Sequence, residues 1–216
     1  MLFRCTSFVA GLLISLLAAS DSCASTDPFP DNLFGYRETP QAAIDTFPQW
    51  VAALERHLLS GLPEGDCEPD RLNRCQLHAW RDYVKTLSGL PRRRQIDAVN
   101  AYANRQHYVL DLDNYGLEDY WAIPREFLFN GGDCEDYAIA KLLSLRWLGF
   151  DPAELRIVVL QDTNLRVPHA VLAVAAGNDI LVLDNQVRQV VRHRDIVHYA
   201  PVYSINEQRW WLHMPQ

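Results

Sequence analysis

The chain has 216 residues, 49% of them hydrophobic and 22% charged, with a formal net charge of −7. That length and balance suit one globular domain with a single core. The acidic surplus argues against a nucleic-acid partner, whose phosphates need a basic surface.

The first residues form a targeting segment. Arg4 precedes an apolar run from Phe8 to Ala19, and the small residues Ser22, Cys23 and Ala24 follow. The run falls short of the roughly 20 residues that a bilayer span takes. It reads as a secretory signal peptide over residues 1–24, cut after Ala24. Residues 25–216 are then a single exported domain that does not insert in the membrane. Lipidation at Cys23 fits poorly, because the residue three positions earlier is Ser20, not an apolar one. Cys67, Cys75 and Cys134 remain after the cut. In an oxidising compartment Cys67 and Cys75 could pair or stay apart, since spacing does not supply the geometry. Cys134 is the candidate free thiol either way.

Residues 25–39, rich in Pro, Asp and Ser, predict an irregular arm. Residues 40–61 predict a helix, with Pro48 as a start or kink and Trp50, Leu54, Leu58 and Leu59 on one stripe. Helices are expected over 71–89 and from Arg92 to Gln106, and "DLDNYG" at 111–116 reads as a turn. A further helix starts at Cys134, carries Ala138, Leu142, Leu145 and Leu148 at helical spacing, and stops at Gly149. Asp133 is its expected N-cap. From there the chain turns to sheet. "LRIVVLQ", "PHAVLAVAA" and "ILVLD" are short β-branched runs, with two more candidates over 198–205 and 209–213. A helical half followed by an antiparallel sheet is an α+β arrangement.

The chemistry gathers at "NGGDCEDYA", residues 130–138. A free cysteine is ordinarily a small buried hydrophobe. Cys134, however, opens a helix, where the unpaired N–H groups and the dipole favour an anion. His169 lies in an apolar strand, where an imidazole suits either a satisfied core position or a base for Cys134. If Gly177-Asn178 forms a two-residue turn, residue 169 opposes residue 186, and Asp184 is its diagonal neighbour on the same face. Cys134, His169 and Asp184 would then supply nucleophile, base and orienting acid, in the chain order of papain-like enzymes. Against this stand the acids Asp133, Glu135 and Asp136, whose charge opposes a thiolate.

The stretches "DNYGLEDYWAIPREFLFNGGDCEDYAIAKLLSLRWLGF", "HAVLAV" and "LVLDNQ" resemble the bacterial transglutaminase-like cysteine proteinases of the LapG type. The resemblance implies a papain/transglutaminase-like core with Cys134, His169 and Asp184 as the catalytic triad. It implies a calcium-dependent periplasmic endopeptidase that cuts the N-terminal part of a large surface adhesin near a di-alanine site. Cells are thereby released from a biofilm, under control of an inner-membrane cyclic di-GMP receptor. It also implies Ca²⁺ held by Asp133 and Glu135. Such an ion takes hard oxygen ligands and would cancel the charge around the thiol. Asp136 is a further candidate ligand, with Asp111 or Asp113 supplying an oxygen from another loop. Two other readings use the same residues: acyl transfer to an amine, as in transglutaminases, and a non-catalytic calcium- or receptor-binding module.

Overall fold

The computed structural model describes residues 27–30, 32–60 and 74–216. The expected signal peptide, the loop at 61–70 and Cys67 lie outside the described residues; Cys75 is disulfide-bonded. No helix among the described residues is long and apolar enough to cross a membrane.

Among the described residues, six α-helices precede most of the sheet: α1 (Pro48–Ser60), α2 (Arg74–Leu87), α3 (Arg92–Ala103), α4 (Asp111–Tyr115), α5 (Pro124–Asn130) and α6 (Cys134–Trp147). The strands are β1 (Asn32–Leu33), β2 (Tyr36–Gln41), β3 (Leu155–Asp162), β4 (Val167–Ala176), β5 (Asp179–Leu183), β6 (Val191–Arg192), β7 (Tyr199–Ile205) and β8 (Trp210–Pro215). They form one sheet in the order β1-β2-β8-β7-β3-β4-β5-β6, and every neighbouring pair is antiparallel. The α+β arrangement expected from the sequence is the one observed.

Strand alternation decides which residues meet which layer. On one face Leu155, Ile157, Leu172, Val174 and Leu183 pack under α6 with Ile139, Leu142 and Leu145. On the other, Val158, Leu160, Val171, Ala173 and Val182 gather around Phe29, Phe34 and Tyr199. That second face also encloses Arg156, wholly buried, with its guanidinium over the rings of Phe29 and Trp211 and bonded to Asp27 and Glu38. The N-terminal segment is fastened to the sheet there.

Several elements differ from the sequence expectations. Residues 32–41, expected within and just after an irregular arm, are strands β1 and β2. Their side chains are mostly polar, and what makes them strands is backbone pairing, of β2 with β8 and of β1 with β2. "DLDNY" is the short helix α4, closed by Gly116 in the left-handed region (φ 69°), and α5 was not expected. The third helix stops at Ala103. On α1, Trp50 and Leu54 reach the core, but Leu58 and Leu59 are 80% and 86% exposed.

Candidate active site

The hairpin of β4 and β5 turns at Gly177-Asn178, with Ala176 opposite Asp179 and Leu172 opposite Leu183. This is the register of a two-residue turn. It sends the side chains of His169 and Asp184 to the same face. His169 Nε2 donates to Asp184 Oδ1 at 3.0 Å, with both side chains buried. That bond fixes the tautomer and leaves Nδ1 as the ring nitrogen free to serve a neighbour.

Cys134 is the first residue of α6, with Asp133 as N-cap. Asp136, at the third helical position, reaches back to accept from the Asp133 N–H at 3.2 Å. The two glycines before the helix are needed there. A Cβ on Gly131, whose φ is +75°, would come within 2.4 Å of the His107 carbonyl oxygen. One on Gly132 would lie 2.1 Å from Asp136 Oδ2. The tight approach lets His107–Val109 pair with Gly132 and brings the α4 segment beside the start of α6.

Cys134 and His169 line one cavity of about 260 Å³, walled by Trp121 and Tyr203 and bordered by Glu118 and Asp119. The thiol donates to Glu135 Oε2 at 3.2 Å, and no hydrogen bond joins it to His169 among the described residues. Burial pushes the Cys134 thiol above its usual range; the charge of Glu135, the bond to it and the charge of Asp133 add to this. The Ala170 N–H opposes them.

Those acids form two overlapping clusters, Asp111 with Asp133 and Asp136, and Asp111 with Asp119 and Glu135. Burial pushes Asp111 up to about 6 and Glu135 up to about 8, the latter aided by the charge of Asp133. Asp133 and Asp136 are also raised, with burial the leading cause in each. Among the described residues, no ion pair with Asp111, Asp133, Glu135 or Asp136 offsets this charge, and Asp111 Oδ1 and Asp133 Oδ1 are buried without a hydrogen-bond partner. Asp136 is differently placed: its oxygens accept from the Ala122 and Asp133 N–H groups. Of the two α4 aspartates, Asp111 joins the clusters and Asp113 does not.

Three residues near the site escaped sequence reasoning. Asp119, in "GLEDYW", enters the acid group and accepts from the Trp121 indole N–H. Tyr199 on β7 donates a short hydrogen bond to Asp184 Oδ2. Lys141 on α6 is wholly buried, with no hydrogen-bond partner for Nζ among the described residues and the Asp184 carboxylate acting on it. The doubled acid at Glu118-Asp119 was a visible signal; nothing in the sequence marks Tyr199.

A sequence model of the bacterial transglutaminase-like cysteine proteinases matches residues 64–216. The chain belongs to this family. The proteinase is also similar in structure to Legionella pneumophila LapG in its calcium-bound form, with 29% identity and a TM-score of 0.60 over 74% of this chain and 87% of that one. The EGTA-treated form of that protein matches at 28% identity and TM-score 0.59, over 81% and 87% of the two chains. A search of curated proteins finds no match. The family gives the reaction class, a transglutaminase-like cysteine proteinase.

Proposed function

We propose that this proteinase is a periplasmic, calcium-dependent endopeptidase with Cys134 as nucleophile, His169 as base and Asp184 as orienting acid. The observation that carries the reading is His169, bonded to the buried Asp184 and lining one cavity with Cys134 at a helix start. In the reaction, His169 Nδ1 takes the thiol proton and Sγ attacks the scissile carbonyl carbon. The amine leaves with the proton returned from His169. Water, deprotonated by the same nitrogen, then cleaves the thioester and restores the thiol.

Asp111, Asp119, Asp133 and Glu135 are the residues that would hold calcium. Their hard oxygens suit the ion, and the orphaned Oδ1 atoms of Asp111 and Asp133 supply acceptors with no other partner. Bound there, the ion would offset the negative charge that opposes a thiolate. The Legionella relative occurs in calcium-bound and EGTA-treated forms, which supports this assignment. Asp136, in one cluster with Asp111 and Asp133, also ties the Ala122 segment to the helix start.

The substrate in this reading is the N-terminal region of a large surface adhesin, cut near a di-alanine site, so that cleavage disperses a biofilm. An inner-membrane cyclic di-GMP receptor restrains the enzyme. The test is cleavage of such an adhesin fragment from the same cell by the mature protein. Wild type should cut with calcium and not after EGTA, and Cys134→Ala should not cut at all. Cleavage by Cys134→Ala would refute the nucleophile, and undiminished cleavage in EGTA would refute the calcium requirement. Incorporation of a labelled amine in place of hydrolysis would reassign the reaction to acyl transfer.

A further inference from the structure

The Asp184 carboxylate is buried, and its two oxygens have different partners. Oδ1 accepts from His169 Nε2 at 3.0 Å and from the Gln186 N–H at 2.8 Å. Among the described residues, the Oδ2 hydrogen bond comes from the Tyr199 hydroxyl alone. A buried carboxylate oxygen left without a donor is costly, and the carboxyl group would rotate to find one. Rotation of Asp184 would take His169 with it.

The same tyrosine also touches the base. Its ring stands edge-on to the His169 imidazole, with centroids 5.8 Å apart and planes at 65°. Tyr199 is itself held in place. Phe34 meets its ring edge-on at 5.8 Å, and Asp162 of β3 is its strand partner. His169 pairs with Leu160 on the other side of β3, so Tyr199 reaches across the central strand to the acid–base pair. Burial, followed by the bond to Asp184 and that group's charge, pushes the phenol well above its usual range, so it stays a donor.

We infer that Tyr199 is a positioning residue of this site, holding Asp184 in the orientation from which Asp184 fixes the His169 ring. The inference rests on the triad proposed above. Tyr199→Phe keeps the ring and removes only the hydroxyl. In the cleavage assay kcat should fall about 10- to 100-fold, the worth of one hydrogen bond to a charged group. KM should stay within about twofold, because no substrate contact is lost. The proton on His169 Nε2 should move and broaden in the variant's NMR spectrum. In wild type the Tyr199 hydroxyl proton should be visible, downfield and slow to exchange. A Tyr199→Phe enzyme with wild-type kcat and an unmoved Nε2 proton overturns the inference. So does a fast-exchanging Tyr199 hydroxyl in wild type, whatever the variant's stability. Wild-type cleavage and its loss in Cys134→Ala are read first, so a failed triad is told apart from a failed Tyr199.

Discussion

Replacing Lys141 by methionine removes a charge that the fold carries at a cost. The side chain is 0% exposed, and Nζ has no hydrogen-bond partner among the described residues. Burial pushes the ammonium from 10.5 down to about 7, against the opposing pull of Asp184. The unfolded chain therefore binds this proton more tightly than the folded one. At about 1.4 kcal/mol per pH unit, a fall from 10.5 to about 7 destabilises the native state by roughly 5 kcal/mol at acid pH. The sign follows from proton counts: between those two values the unfolded state holds more protons, so stability rises with pH. The penalty is full below about pH 7 and gone above 10.5. Methionine is of similar length and uncharged. Lys141→Met should then gain a few kcal/mol over wild type at about pH 6, with the gap closing toward about pH 10. Urea unfolding midpoints across that range measure it. A variant less stable than wild type at the acid end, or a gap that ignores pH, would refute the reasoning. The stabilised variant should also be a slower enzyme, since it loses the cation facing Asp184.

Two other outcomes follow from the acid-rich helix start. Gly132→Ala should cost about 3 kcal/mol or more, because its Cβ would meet Asp136 Oδ2 at 2.1 Å and pull Asp136 off the Ala122 and Asp133 N–H groups. Thermal melting and residual cleavage read this together. The calcium-free protein should lose stability as pH rises. Asp111 and Glu135 have folded values raised to about 6 and about 8, so protonation is favoured in the native state and lost through that window. Melting curves in EGTA from about pH 4 to about pH 8 should fall steadily, and calcium should flatten them.

The parts of the site carried by local sequence pattern were legible. A two-residue turn at Gly177-Asn178 fixes the parity of two β-branched runs, and parity alone puts His169 and Asp184 on one face. Asp133 before an apolar helical stripe marks the N-cap, and with it the place of Cys134. What was hidden depends on tertiary neighbours. Tyr199 and Asp184 meet only because β3 lies between β7 and β4. The strand β2, "YRETPQ", has no apolar alternation because pairing with β8 supplies its order. Leu58 and Leu59 extend an amphipathic stripe beyond the end of the core, so periodicity overstates their burial. The α5 start was available in principle, since Pro124 at the first helical position is a recognised signal.

The pairing of β2 with β8 joins residues 36–41 to residues 210–215. The sheet thus brings together segments far apart in the sequence, and contacts of such long separation form slowly. A chain still emerging from the ribosome has β2 before its partner β8. It also has β2 before Tyr199, the donor to Asp184. In the reading proposed above, the His169–Asp184 pair gains its Tyr199 donor only once β7 has paired with β3, so the pair is fully braced only after this late sheet pairing has formed.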